Sequence, residues 1–472
     1  MEIGSQNMVQ RWMDRFLYSP AYFWFLGIFT VLSNVFGQEQ LAYAFILLTG
    51  VYVCLWGRDM LPILPIFACC YISPSLNNNP GLNEESIFSL KSGGLYLAVL
   101  LTMLAVSLVY RLVTDPVFGG KRFLRKKRSL LPGMLILSAT YAVSGIFSGQ
   151  WAEYGWRNLL FAFIQLVAIA GLYFLLSGAV RWDIAPKAYL FWTAICMGYV
   201  LLVELAGIYI KEDVVHKGMI VRNRIVTGWG HYNSMGVLFA MLIPLALFLT
   251  GKGKMAWFAY LSSLLFCFGL VFTCSRGSIL VGIPIYIAAY ILSLVHSRRA
   301  RKMIWVHALM LILPVLALAR FDDQLPQLFK RLIDRGFTSS VRIETYMEGI
   351  GQFLQFPIFG GSFFPLNEDL HKLATAPTFS YLFPPRWHNT VVQLLATGGV
   401  VCLVGYGVHR VQTIRLFTRH FSTEKLFVGL SIAALLLTSM VDCHFFNVGP
   451  VLLYSAMLAV VEFQLDKERK IC

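Results

Sequence analysis

The hydrophobic and polar positions divide this chain into long apolar runs, most of them near the ~20 residues that carry a helix across a bilayer. About fourteen runs are read, near 21–37, 41–56, 61–76, 95–113, 131–149, 159–179, 189–210, 234–251, 255–274, 277–296, 303–320, 391–409, 426–446 and 450–465. The third carries Pro62, Pro65 and Pro74 and is expected to be broken or re-entrant; the last is short. One long polar stretch, 321–390, interrupts the pattern with apolar runs on both sides. Loops much beyond ~15 residues are usually functional or disordered, and two amphipathic patterns inside this one speak against disorder. Leu325, Leu328, Phe329, Leu332 and Ile333 recur at helical spacing, and so do Ile343, Met347, Ile350 and Leu354. Ser339 or Ser340 can cap the second pattern and Pro357 stops it. Both helices suit the outer membrane interface, and Gly360-Gly361 then makes a flexible or close-approach turn.

Composition removes the soluble alternatives. A chain of 472 residues could hold two or three soluble domains, but this one is 57% hydrophobic and 13% charged, against roughly 25% charged in soluble domains. Mean hydropathy is +0.67. The expected fold is an all-α polytopic membrane protein, a single integral membrane domain over 1–472 with 321–390 as a large extracytoplasmic loop. The net charge of +15 does not require nucleic acid, because much of the excess lies in short loops between spans, where it sets orientation. The basic runs Lys121-Arg122-Phe123-Leu124-Arg125-Lys126-Lys127-Arg128 and Arg298-Arg299-Ala300-Arg301-Lys302 fall on one side. Arg11, Arg15, Lys252, Lys254, Arg410, Arg415, Arg419 and the segment from Lys467 to Lys470 join them. That side is cytoplasmic, which puts both termini inside and 77–94, 150–158, 211–233 and 321–390 outside. No cleavable signal peptide is read. The nine cysteines lie mostly in apolar runs without metal-ligand spacing and read as small apolar residues.

Arginines on the outer side are not explained by orientation. Arg222 and Arg224 lie in the segment from Val221 to Asn233, with Gly228 and Gly230 nearby. Arginine's planar fork suits phosphate; the alternative is an interfacial pair reaching lipid headgroups. Arg276, in Cys274-Ser275-Arg276-Gly277, joins two spans so tightly that it sits at or just within the outer surface. A charge there usually faces a cavity or a partner, unless it simply marks the interface of a tight hairpin. Arg342 and Tyr346 are four apart, off the apolar stripe of the second loop pattern; the plain reading of that helix is a structural lid. The loop closes with Arg386-Trp387-His388-Asn389, followed by Gly398-Gly399. A histidine side chain can take a proton from a hydroxyl, which makes His388 a candidate base, although a lone His at this boundary is more often structural. Asp442 and His444 fall near the outer end of the thirteenth run, and Asp442 is either functional or a structural partner for an arginine. No P-loop, HExxH, DxD-like metal pair or Rossmann glycine pattern is present, so nucleotide-sugar or ATP chemistry is unsupported.

The order of these elements resembles the O-antigen ligase and O-antigen polymerase superfamily of bacterial envelope glycosyltransferases. An Arg-containing loop with a following Asn leads into a span, and Ser-Arg-Gly joins two spans. A large external loop then carries an Arg-initiated helix, a Pro-x-x-Gly turn, and a closing His-Asn before a Gly pair. The resemblance covers roughly residues 200–450. It implies a C-type glycosyltransferase architecture that moves a glycan from undecaprenyl diphosphate to a hydroxyl of another glycan, without metal or cofactor. It further implies His388 as base, Arg224 (or Arg222) and Arg276 as diphosphate ligands, and Arg342 as the arginine that opens the loop helix. Arg386, Asn389, Tyr346 and Asp442 are supporting candidates. The ligase pattern after His388, Asn389 and Gly399 ends on Gly, Thr or Tyr, where this chain has Cys402, which makes a surface-polysaccharide polymerase at least as good a reading as a lipid A-core ligase.

Such chemistry fits the residue types. A diphosphate already activates the donor's anomeric carbon, so one base and several guanidiniums suffice without Mg²⁺. The polyprenyl tail stays in lipid, which puts the site at the outer face of the bacterial cytoplasmic (inner) membrane. Implied partners are the undecaprenyl-diphosphate-linked glycan donor, a glycan or lipid-glycan acceptor, membrane lipid and polysaccharide-assembly proteins, with no nucleic acid. The competing reading is a flippase of lipid-linked oligosaccharides, which would place charges near the midplane and show paired halves; no internal duplication is evident.

Overall fold

The apolar runs fold as helices, and almost all of the regular structure is helical. The computed structural model describes residues 8–36, 38–72, 94–115, 119–149, 151–180, 186–211, 214–216, 219–220, 225–227, 230–248, 250, 256–297, 301–320, 340–363 and 387–465. The first half contains α1 (Met8–Leu17), α2 (Pro20–Val35), α3 (Glu39–Trp56), α4 (Ile63–Ile72), α5 (Gly94–Thr114), α6 (Gly120–Arg125) and α7 (Leu131–Phe147). It continues with α8 (Trp151–Leu166), a π-helical turn at Val167–Gly171, α9 (Leu172–Ala179) and α10 (Pro186–Lys211). The second half holds α11 (Tyr232–Leu247), α12 (Ala256–Phe272), α13 (Arg276–His296), α14 (Ile304–Arg320), α15 (Ser340–Gln355), α16 (Thr390–Thr418), α17 (Thr423–Thr438) and α18 (Val448–Val460).

Four described helical stretches are long and apolar enough to cross a membrane: Gly155–Ala179, Pro186–Ile210, Arg276–His296 and Thr390–Thr418. Other apolar helices occupy the expected places but are shorter, among them Leu131–Phe147 and Ala256–Phe272. At 17 residues each they extend ~25 Å. The third run is a ten-residue helix, α4. The chain turns by 76° between Met8–Leu17 and Pro20–Ser33.

At the centre lies α11, packed by α10, α12, α13 and α17. Every residue from Asn233 to Leu247 is buried. A helix that is apolar all round belongs inside a bundle, and that burial forces its polar first turn, Asn233 and Ser234, to find protein partners. The all-helical expectation holds for the bundle, and two short ladders stand beside it among the described residues. Within 211–233 the chain forms two antiparallel two-residue ladders, β1 (Val215–His216) with β2 (Met219–Ile220) and β3 (Val226–Thr227) with β4 (Gly230–His231).

The run 426–446 is not one continuous helix. Regular helix stops at Thr438, and the chain turns through 439–447 with a 3-10 turn at His444–Phe446. The N–H groups of 439–442 still bond back to their own helix, but two carbonyls of this break accept from the start of the neighbouring one. Ser439 O accepts from Thr390 N at 2.8 Å, and Met440 O accepts from Asn389 Nδ2 at 2.9 Å. Asp442 therefore sits in an irregular segment held between helices, not in the end of a span.

The run 391–409 is longer than expected, reaching Thr418, and bends at Gly399, whose φ of 63° is left-handed. The turn after α15 plugs this bend. Val400 N donates to Pro357 O at 2.9 Å and Val401 N to Ile358 O at 3.2 Å, while Ala396 O accepts from Gly361 N at 2.9 Å and Gln352 Nε2 at 3.0 Å. The loop turn thus supplies the partners that the bend takes from the helix, as interrupted backbone inside a bundle requires. A Cβ on Gly399 would lie 2.3 Å from Ile358 O, and one on Gly360 (φ 75°) would lie 2.3 Å from Thr397 C. The Gly pair and the Pro-x-x-Gly turn are two halves of one joint.

Candidate functional site

Three parts of the chain converge on the carboxylate of Asp442. The start of α16 brings His388, whose Nδ1 lies 3.2 Å from Asp442 Oδ1. The first turn of α11 brings Asn233, whose Nδ2 donates to Asp442 Oδ2 at 2.8 Å. The backbone N–H of Cys443 adds a third bond to Oδ1 at 2.7 Å. A carboxylate can only accept, so Nδ1 of His388 carries the proton in this pair and Nε2 is left as a lone-pair acceptor. The His388 side chain is 40% exposed and that of Asp442 only 5%. A solvent-facing imidazole is thus oriented by an enclosed acid, an arrangement that can remove a proton from a bound hydroxyl.

Local sequence explains the placement of His388. Asn389 is the N-cap of α16, its Oδ1 accepting from Val391 N at 2.8 Å and Val392 N at 3.2 Å. Satisfying those orphan N–H groups ends the helix here. His388 then takes a φ of 51°, a conformation that costs a non-glycine residue ~1–2 kcal/mol. Trp387 N donates to Gln393 Oε1 at 3.0 Å on one side. On the other, Tyr346 Oη donates to the carbonyl of His388 at 3.1 Å.

Tyr346 belongs to α15, the second amphipathic pattern. Its apolar stripe of Ile343, Met347, Ile350 and Leu354 is exposed, consistent with an interfacial helix. The other face packs on α16 and on Trp387 just before it, which lies so close to Gly349 that a Cβ there would fall 1.5 Å from its ring. Burial pushes the Tyr346 phenol above its usual value of 10.0, partly offset by Arg342 one turn earlier, with Cys443 and Asp442 adding to the rise. Arg342 thus lies one turn before Tyr346 on the helix that bonds to His388.

Arg276 opens α13 immediately after Ser275, whose Oγ donates to Asn233 Oδ1 at 2.9 Å and lies 2.9 Å from Ser278 Oγ. Gly277 packs on Val441, to which a Cβ would come within 2.9 Å. The helix start bearing Arg276 is thus one residue from the Asp442 network, and helix N-termini favour anions.

The structure therefore joins His388, Asp442, Asn389 and Tyr346 directly and brings the segments of Arg276 and Arg342 alongside. Arg222, Arg224 and Arg386 lie outside the described residues, as do 321–339 and 364–386 of the loop. Asn233 stood in the sequence only as the end of a cluster, and Ser275 only as the neighbour of Arg276. A buried amide at the head of an all-apolar helix was the available signal for Asn233. Cys402 is buried, with Sγ 3.3 Å from Ser144 Oγ and 3.4 Å from Thr140 O on α7. Among the described residues, no three His, Cys, Asp or Glu side chains gather to hold a metal ion.

Residues 261–407 match the family model for O-antigen ligase. The matched stretch contains Arg276, Arg342, Tyr346, Arg386, His388 and Asn389, together with both halves of the Gly399 joint, while Asn233 and Asp442 lie outside it. No curated protein matches the chain. The apolar helices and this match make it an integral membrane protein, and over residues 261–407 the chain is similar to the O-antigen ligase family.

Proposed function

We propose that this protein is a membrane glycosyltransferase. It moves a glycan from undecaprenyl diphosphate to a sugar hydroxyl at the extracytoplasmic face of the bacterial cytoplasmic membrane, as a surface-polysaccharide polymerase or an O-antigen ligase. The observation that carries the reading is the bond between His388 Nδ1 and Asp442 Oδ1 at 3.2 Å, in a partly exposed position at the end of the family-matched region.

In this reading, Nε2 of His388 takes the proton of the acceptor hydroxyl as that oxygen bonds to the donor's anomeric carbon. The bond from that carbon to the diphosphate oxygen breaks, and undecaprenyl diphosphate leaves with the electron pair. A single displacement inverts the anomeric centre. Arg276 and Arg342, with Arg222 and Arg224 from the preceding outer segment, neutralise the leaving diphosphate. No step calls for a metal or cofactor. The proposed topology keeps about fourteen spans, both termini inside and 321–390 outside, from the basic loops.

Against a flippase stands the placement of polar groups. The site gathers at one end of α11, α13 and α16. Arg410, by contrast, is enclosed by rings, its guanidinium carbon 4.4 Å from the Tyr406 centroid and 4.3 Å from that of Phe445. Such an enclosure favours a structural cation–π role. Glycan profiling of a deletion strain tests the function. Single repeat units on their normal carrier indicate a lost polymerase, and full-length polymer accumulating on lipid indicates a lost ligase. Repeat units trapped on the cytoplasmic face would replace the enzyme reading with the flippase.

A further inference from the structure

We infer that Asn233 is a positioning residue that ties the start of α13, which bears Arg276, to the base, through the chain Ser275–Asn233–Asp442–His388. The inference rests on His388 acting as the base and adds what holds it in register with the leaving group. Asn233 uses both ends of its amide. Nδ2 donates to Asp442 Oδ2 at 2.8 Å, and Oδ1 accepts from Ser275 Oγ at 2.9 Å. Asn233, Ser275 and Asp442 are all buried, so these bonds form where water does not compete and a lost partner leaves an unsatisfied group.

The chain position of Asn233 gives the bridge its meaning. It closes the outer segment that contains Arg222 and Arg224 and begins the central helix α11, while Ser275 directly precedes Arg276. Ser275 is the N-cap residue of α13, yet its side chain makes no capping bond. Its hydroxyl is directed to Asn233 and Ser278 instead. The first turns of α11 and α13 are therefore fastened to each other and to the carboxylate that orients the imidazole. By holding Oδ2, Asn233 leaves Oδ1 to face His388, and only a group that both donates and accepts can occupy this position. Ionisable groups around the bridge are His388, Cys443 and Tyr346 on the carboxylate side, His444 beyond Cys443, and Arg276 beside Ser275.

Two substitutions test the inference in the full-length protein, alongside His388→Ala. Asn233→Leu should bind undecaprenyl diphosphate as the wild type does, while glycan transfer falls by roughly 10–100-fold, by analogy with the hydrogen-bonded partners that orient metal-ligating side chains. Asn233→Asp supplies a pH signature that a packing role would not. A carboxyl beside Asp442 has its pKa raised. While protonated it can donate like the amide, and once ionised it repels Asp442. The ratio of Asn233→Asp to wild-type transfer should therefore rise as pH falls, and recovery at low pH also certifies that the variant folds. A ratio independent of pH, or Asn233→Leu transferring within a few-fold of wild type, overturns the positioning role. If either occurs while His388→Ala is inactive, the base assignment stands and only the bridge is lost. If His388→Ala itself transfers normally, the base assignment has failed first.

Discussion

Tyr346 Oη donates to the carbonyl oxygen of His388 at 3.1 Å, across 42 positions of the chain. The bond connects the helix of the large loop to a residue held in the left-handed region, with φ at 51°. Tyr346→Phe removes the donor and little volume. One hydrogen bond contributes ~0.5–1.5 kcal/mol, so transfer should fall roughly 2–12-fold with undecaprenyl diphosphate binding unchanged. Single-turnover transfer measures it; an unaltered rate would detach the loop helix from the positioning of the base. Because burial raises the phenol above 10.0, this contribution is present at neutral pH and is lost only as pH rises through the raised value.

His388→Ala should retain undecaprenyl diphosphate while transfer drops about 10²–10⁴-fold, the usual worth of a general base. Purified protein at verified levels is required, since misfolding would mimic the loss. Transfer within a few-fold of wild type would move the search to Glu344 and Asp442.

Arg276→Lys should stay impaired in both undecaprenyl diphosphate affinity and turnover. A point ammonium on a flexible stem does not reproduce a bidentate fork, even though the helix start beside it is intact. Wild-type values for both quantities would remove Arg276 from the diphosphate site.

Gly399→Ala should destabilise the protein by about 1–3 kcal/mol, the cost of a strained left-handed residue, with added repulsion from Ile358 O, 2.3 Å from the new Cβ. Thermal unfolding in detergent reads the shift. Gly407→Ala, whose Cβ would meet nothing within 4 Å, serves as the control and should unfold no lower than the wild type, since Ala is the better helix former. Equal melting of the two variants would mean that the joint between the loop turn and α16 does not hold in solution.

A single cysteine at Glu368, in a background without the native cysteines, should react with an impermeant thiol reagent in intact cells. Labelling only after permeabilisation would reverse the proposed sidedness and put the site on the wrong face for the donor.

What the sequence determined alone was local. Apolar runs and their lengths placed the helices within a few residues, because one stretch of chain is enough to make a side-chain pattern incompatible with water. The paired glycines and the turn after Pro357 were also visible, since left-handed and close-approach backbone selects glycine wherever it occurs. His388 and Asn389 stood out as a polar pair at the end of a loop. Their partners did not. Asn233 lies 209 positions from Asp442, and His388 lies 54. No periodicity reaches across such distances, and Asp442 could be read from sequence only as a possible partner for an arginine. The tertiary structure decided that pairing by burying α11 on all sides. Once that helix is central, its first amide must bond to whatever polar groups the surrounding helices end on. It also decided where the thirteenth run stops. The apolar run continues past Thr438 in the sequence, but the carbonyl of Ser439 accepts from Thr390 at the start of α16 and that of Met440 from its N-cap Asn389, bonds that a continued helix would not make.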